Sequence, residues 1–260
     1  MDLHLRGKRA LITGGSKGIG LAVARVLAEE GCNLHLAARD ALALEEVAAR
    51  LRVDYGVQVA VHAVDLRKST DVDHLAEASK DADILINNAG DIPGGSIDKI
   101  DEAAWRHAWD LKVFGYINLT RRVYANMKAR GGGVIVNDIG AAGERFDAQY
   151  IAGSAGNAAI MGFTRALGNA SLADNIRVVG INPGPVETDR VVSLMKTHAK
   201  NRFGDEGRYR ELTAKLPLGR AATVDEIANT MAFVASDRAS YTSGVIYTID
   251  GGVCAGGSVF

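Results

Sequence analysis

A short apolar run, Arg9–Thr13, leads directly into Gly14-Gly15-Ser16-Lys17-Gly18-Ile19-Gly20. An amphipathic stretch over 21–29 follows, with Ala24, Leu27 and Ala28 on one side. A strand, a glycine-rich turn and a helix in that order predict a βα unit. Glycines let the main chain approach an anion closely, and the free N–H groups and dipole of a helix N-terminus favour negative charge there. An ordinary tight turn has the same outline, so this segment alone does not establish a phosphate site.

Short apolar runs alternate with helical patterns along the rest of the chain. Strands are expected at 9–13, 33–37, 57–63, 84–87, 133–137, 177–182 and 245–249. Such alternation predicts an α/β fold, a parallel sheet covered on both faces. The near-continuous apolar character of 133–136 fits a strand buried on both sides. No linker, repeat or low-complexity tract interrupts the pattern, so one domain over 1–260 is expected.

Composition narrows the function classes. Apolar residues make up 47% and charged residues 23%, with a net charge of −1. That balance excludes intrinsic disorder and argues against a nucleic-acid partner. Cys32 and Cys254 form no C-x-x-C pair and cannot build a disulfide framework, which points to a reducing compartment. Charges at Asp2, Arg6, Lys8, Arg9 and Lys17 leave no signal-peptide core. The longest uncharged stretch, 148–164, is diluted by Gln149, Ser154, Asn157 and glycines, and reads as a buried helix rather than a membrane span. A cytoplasmic protein with no membrane partner and no metal is expected.

Further motifs stand in a fixed order after the glycine turn. Asp65-Leu66 follows the third run, and Asn87-Asn88-Ala89-Gly90 ends the fourth. Asn182-Pro183-Gly184-Pro185-Val186 with Thr188 follows the sixth, and Tyr241-Thr242-Ser243-Gly244 leads to Asp250-Gly251-Gly252. Together with T-G-x-x-x-G-x-G, this set resembles the short-chain dehydrogenase/reductase family over nearly the whole chain. The resemblance implies a Rossmann-type, doubly wound sheet of about seven strands in three αβα layers, with a nicotinamide cofactor across the carboxyl ends of the strands. It implies cofactor contacts from Gly14, Ser16, Lys17, Gly18, Ile19, Gly20, Arg39, Asp65, Leu66, Asn88, Ala89, Gly90, Pro183, Gly184, Val186 and Thr188.

Members usually carry an Asn, a Ser and a Tyr-x-x-x-Lys, in which a tuned phenol serves as general acid or base. Here all four positions differ. Lys112 falls on the Asn position and Gly140 on the Ser position. Anchoring the next helix on Gly162-Phe163-Thr164-Arg165 puts Gly153 at the Tyr position and Asn157 at the Lys position. Tyr150 lies three residues earlier, and counting forward from it gives Ser154 instead of Lys. Three readings follow. Tyr150 reaches the substrate from one turn up the same helix face, Asn157 holds the ribose hydroxyls and Lys112 supplies positive charge. Alternatively the site binds nucleotide without chemistry, or Tyr150 and Lys112 are an ordinary tyrosine and a surface cation.

Other groups near the expected cleft have bland readings. His107 reads as a helix-surface histidine, and Asp138 as a base or a turn residue. Asn137 reads as an amide satisfying backbone groups. Glu144 and Arg145 are loop charges, either touching substrate or solvated.

The leading expectation is an NAD(P)-dependent oxidoreductase acting on a small alcohol or carbonyl. The alternative is a non-catalytic NADP-binding protein, a sensor or assembly subunit. NADP is expected over NAD, because Ala38 takes the place of the acidic residue that would bind a ribose 2′-hydroxyl, and Arg39 and Lys17 stand near the expected 2′-phosphate. The segment 190–220, with Gly204, Gly207 and Pro217, reads as a helical lid rather than one rigid helix. The resemblance also implies a homotetramer. The Gly/Ala-rich helix over 152–167 and the uncharged end over 251–260 fit close contact.

Overall fold

The computed structural model describes residues 1–256, with the side chains of Arg190, Leu194, Thr197, His198 and Asn201 outside that description. The last four residues of the uncharged end expected at an interface, 257–260, also lie outside the described residues.

Seven parallel strands form one sheet in the order β3-β2-β1-β4-β5-β6-β7. They are β1 (Arg9–Thr13), β2 (Asn33–Ala38), β3 (Val59–Ala63), β4 (Ile84–Asn87), β5 (Gly133–Asp138), β6 (Ile176–Pro183) and β7 (Ile246–Ile249). The helices are α1 (Gly18–Glu29), α2 (Ala41–Tyr55), α3 (Ser69–Ala78), α4 (Glu102–Trp109), α5 (Gly115–Arg130), α6 (Ile151–Ala170), α7 (Asp189–Phe203), α8 (Tyr209–Thr213) and α9 (Val224–Ala235). None of the described helices is long and apolar enough to cross a membrane.

The period-two alternation of the central strands sorts their side chains to two faces. Ala10, Ile12, Ile84, Ile86, Val134 and Val136 pack with Val23 and Leu27 of α1, Leu44 of α2 and Ile227 and Met231 of α9. Leu11, Leu85, Ile135 and Val178 turn the other way, onto Leu75 of α3 and Leu119, Val123 and Met127 of α5. Both faces are therefore apolar, which accounts for the continuous apolar runs in the sequence. This is the expected three-layer Rossmann-type sheet.

Several boundaries differ from the expected ones. The third strand starts at Val59 rather than residue 57, because Gly56 closes α2 in a left-handed conformation and the Gln58 N–H is held by Asn33 Oδ1. The fifth and sixth strands run further than expected, to Asp138 and Pro183, since Asp138 pairs with Ile181 of β6 and Pro183 with Ile249 of β7. The helix expected to begin within 148–152 starts at Ile151, after a loop that Ser154 holds: its Oγ accepts from the Asp147 N–H at 3.0 Å. The strand order reverses between β1 and β4, which are neighbours in the sheet. Their carboxyl ends open a crevice, the place where doubly wound sheets bind ligands.

Candidate active site

A cleft of about 1070 Å³ runs over the carboxyl ends of the strands. One end is the turn after β1, where Gly14, Ser16, Lys17, Gly18 and Ile19 line the wall. Gly14 has a φ of +70°, and a Cβ there would lie 2.6 Å from Asn88 Nδ2, so both conformation and space require glycine. Gly20 is off the wall; a Cβ on it would overlap the Gly14 carbonyl, so it sets how closely α1 meets the turn. No side chain caps α1, and its first turn holds no acidic residue. Its leading N–H groups are thus available to an anion, and these residues fit a pyrophosphate.

Hydrogen bonds clip the ends of β1 and β4 together. Thr13 Oγ1 accepts from the N–H groups of Asn88 (2.9 Å) and Ala89 (3.1 Å) and donates to the Ile86 carbonyl (3.3 Å). Asn88 Nδ2 donates to the Thr13 carbonyl at 2.8 Å. Asn88, Ala89 and Gly90 line the cleft, as do Asp91 and Ile92, which the sequence reading did not single out. Across the cleft stand Pro183, Gly184, Val186 and Thr188. Thr188 also begins α7, accepting from the Val191 N–H at 3.4 Å.

At the adenine side, Ala38, Arg39, Asp40, Val64 and Leu66 line the wall. Asp40 is committed to capping α2 through the Ala43 N–H at 3.1 Å. Asp65, expected in the cleft, is not on its lining. Its carboxylate turns to Arg67, which donates through Nε at 2.8 Å and Nη2 at 2.6 Å and holds the carboxyl below its usual range. Arg67 also contacts His107, which stays on the surface of α4.

The far end of the cleft holds Lys112, Asp138, Gly140 and Tyr150 together. Lys112 lies on a π-helical turn, Asp110–Phe114, that joins α4 to α5. Its stem crosses Gly90, where a Cβ would come within 2.9 Å of Cδ, and Nζ donates to the Ile139 carbonyl at 2.5 Å. Tyr116 is fully buried beside it, with Nζ 6.0 Å from the ring and Oη donating to the Asp138 carbonyl at 3.0 Å. Asp138 is only 7% exposed, and burial pushes its carboxyl up to about 6 against the opposing pull of Lys112.

Tyr150 does not share a helix face with residue 153, as expected, but is the residue immediately before α6. Its backbone is pinned: it bridges Gly95, whose N–H donates to the Gln149 carbonyl at 2.7 Å. The ring packs against Ile92, Ala108 and Ala152 and lies directly on Gly153, where any Cβ would overlap it.

Asn157, expected to hold ribose hydroxyls, is 3% exposed and not on the cleft lining. It packs behind Gly140 and Gly143, and its Oδ1 has no partner among the described residues. Asn137 satisfies side chains rather than backbone groups. Its Oδ1 accepts from Asn87 at 2.9 Å and its Nδ2 donates to Thr164 at 2.9 Å, while Asn87 also donates to Thr120 at 3.0 Å. This buried polar chain ties β4, β5, α5 and α6 beneath the site. Glu144 and Arg145 face away from the cleft lining: Glu144 accepts from Thr248 (2.6 Å) and Asn182 (3.4 Å), and Arg145 donates to the Val253 carbonyl (3.3 Å). Among the described residues no cluster of His, Cys, Asp and Glu is arranged to hold a metal.

Known proteins with this architecture place the geometry in context. The short chain dehydrogenase family model matches residues 8–199. A 3-oxoacyl-[acyl-carrier-protein] reductase of Chlamydia trachomatis is 32% identical, covering 96% of this chain and 98% of its own. A 3alpha-hydroxysteroid dehydrogenase of Mediterraneibacter gnavus is 30% identical over 96% and 98%. The crystal structure of L-sorbose reductase from Gluconobacter frateurii, complexed with NADPH and L-sorbose, superposes with a TM-score of 0.92. It is 35% identical and covers 98% of this chain and 100% of that one.

Proposed function

The chain belongs to the short-chain dehydrogenase family, and from that membership we propose an NADP-dependent oxidoreductase of small hydroxylated ketones in which Tyr150 exchanges the proton. Hydride transfer between a nicotinamide and a carbonyl or alcohol is the reaction of this family. The ring of Tyr150 on Gly153 is the observation that carries the reading. The family's phenol is expected at residue 153, and a phenol from residue 150 fills that space instead.

Bound nicotinamide supplies or accepts the hydride; the chain's own groups handle the proton and the fit. A reduced carbonyl becomes an alkoxide, and Tyr150 Oη gives it a proton. The phenolate left behind requires a nearby cation if this is to run near neutral pH. Lys112 is the cation at this end of the cleft, anchored by the Ile139 carbonyl. Asn157 supplies no charge, and its burial beside Gly140 supports a packing role.

Preference for NADP rests on Arg39 and Lys17, which both line the cleft, and on Asp40 being engaged with α2. The NADPH held by the Gluconobacter L-sorbose reductase supports the same cofactor, and its L-sorbose supports a ketose-like substrate. A homotetramer in a reducing cytoplasm completes the reading. Exposed Phe233, Tyr241 and Val245, on α9 and the approach to β7, offer apolar surface for assembly, and the free Cys32 and Cys254 suit that compartment.

The test is NADPH oxidation against a panel of ketones and quinones, followed by Tyr150→Phe and Lys112→Met. Tyr150→Phe is expected to lower kcat about 100-fold or more, and Lys112→Met to move the pH profile upward. Full turnover in Tyr150→Phe assigns the proton to water or Asp138. Normal NADP binding without turnover on any substrate favours a sensor or assembly subunit. Light scattering checks the tetramer.

A further inference from the structure

Asp138 is the last residue of β5 and lines the cleft beside Lys112, Gly140 and Tyr150. Its carbonyl oxygen is taken by Tyr116 Oη. Among the described residues, no N–H or O–H group hydrogen-bonds its carboxylate, although the residue is only 7% exposed. Its carboxylate oxygens are not among the buried unpartnered atoms of the described residues, so they open onto the cleft, where a donor comes from solvent or from a ligand.

Neighbouring residues show that this is not a general feature of the strand. Asn137, one position earlier, has both ends of its amide engaged with side chains. Successive strand residues point to opposite faces, so Asn137 serves the buried polar chain while Asp138 is left to the cleft. Gly140 contributes no side chain, so Asp138 is the polar side chain that the exit of β5 offers to a ligand.

We propose that the Asp138 carboxylate accepts a hydrogen bond from a substrate hydroxyl close to the reacting carbonyl, which makes this a site for hydroxyketones and polyols rather than plain ketones. Lys112 lies close enough to oppose the charge of Asp138. With that opposing charge at the same end of the cleft, the carboxylate suits a hydroxyl donor better than a substrate ammonium. A substrate hydroxyl takes the place of solvent on the carboxylate, and a site built this way rejects analogues lacking the group. The assignment rests on the reading that this end of the cleft is where the carbonyl reacts.

The experiment is calorimetric titration of the NADP⁺-loaded protein, in which no reduction occurs, with ketohexoses (D-fructose, L-sorbose) and with 2-hexanone. Asp138→Asn and Asp138→Leu are compared with the parent chain, and turnover with NADPH is measured in parallel. NADP⁺ affinity and circular dichroism establish that each variant is folded. The expected result is tighter binding of a ketohexose than of 2-hexanone. Asp138→Asn should weaken the ketohexose about 10- to 100-fold, leaving 2-hexanone within about twofold. Failure of the parent chain to bind either ketohexose overturns the proposal, as does equal binding of both ligand classes. Loss of both classes together in Asp138→Asn, or of neither, does the same. Ketohexose binding that depends on Asp138 without turnover leaves this assignment standing and removes the proposed chemistry. Turnover indifferent to Asp138 does the reverse.

Discussion

The phenol ring of Tyr150 occupies the space that a side chain at Gly153 would enter. A ring at residue 150 and a Cβ at residue 153 are mutually exclusive in this backbone. The backbone of Tyr150 is held by the bridge to Gly95, so the ring, rather than the chain, must yield to any substitution. Gly153→Ala is therefore expected to expel the phenol from the cleft. Turnover should fall about 10- to 100-fold, while NADP affinity stays within about twofold of the parent. Parallel measurement of kcat and cofactor Kd checks this. Unchanged turnover in Gly153→Ala, alongside loss in Tyr150→Phe, would show that the phenol reaches the substrate without this seat.

Asp138 makes stability depend on pH in a definite direction. Its folded carboxyl titrates at about 6 and its ordinary value is 3.8, because burial disfavours the charge. The folded state thus holds the proton more tightly than the unfolded one. Ionisation costs nothing below the unfolded value, an increasing amount as pH rises toward the folded value, and about 3 kcal/mol above it. Asp138→Asn removes that cost, so it should raise Tm by roughly 5 °C at pH 7.5 and leave it unchanged near pH 4. Thermal melts at the two pH values decide the matter. A loss of Tm at pH 7.5, or an equal gain at both, would contradict the burial argument.

The layered sheet and the glycine turn were legible because short continuous apolar runs alternating with helical patterns, and the spacing of Gly14, Gly18 and Gly20, are local properties of the chain. What lay beyond reach was tertiary. Asp65 reads as a cleft residue until Arg67, two positions on, is seen to claim its carboxylate. Asn157 sits on a helix beside the site, yet its amide packs under Gly140, and only the fold shows which way it faces. Asn137 finds Asn87 and Thr164, partners 50 and 27 residues away, and no short-range pattern encodes that chain. For Tyr150 the pairing with Gly153 was legible in the spacing, but that the tyrosine stands before α6, with its ring folded onto Gly153, is a tertiary result.

Cofactor choice should be set at the end of β2. Arg39 and Lys17 line the same wall, and a guanidinium with an adjacent ammonium can grip a phosphate monoester. Asp40 cannot easily answer to a ribose hydroxyl while it caps α2. Arg39→Ala is expected to weaken NADPH about 10- to 100-fold, with little change for NADH, and Lys17→Ala to act in the same sense but less. Fluorescence titration of both cofactors measures the ratio. Equal affinity of the parent chain for NADPH and NADH would rule the assignment out.

We propose that the segment between Thr188 and Arg220 acts as a lid. Its two ends are fastened differently from its middle. Thr188 caps α7 at the cleft edge, and Arg220 is fixed by both oxygens of Glu226, at 2.9 and 2.8 Å, beside the Thr223 capping box. Between them, the described side chains make several local contacts. Arg208 stacks on Phe203 at 4.3 Å and pairs with Glu211 at 2.6 and 2.8 Å. Gly204 ends α7 in a left-handed conformation, and Leu218, 86% exposed with a φ of +57°, marks a strained turn just before Arg220. Such local contacts would let the segment move as one body. Val191 and Asp189 already line the cleft, so a ligand bound there would reach this segment. Amide hydrogen exchange over 190–220 is therefore expected to slow by about tenfold when NADP⁺ and a ketohexose are added, whereas β1, β4 and β5 change little. Protection of 190–220 that is the same with and without ligand would show the segment to be a fixed wall.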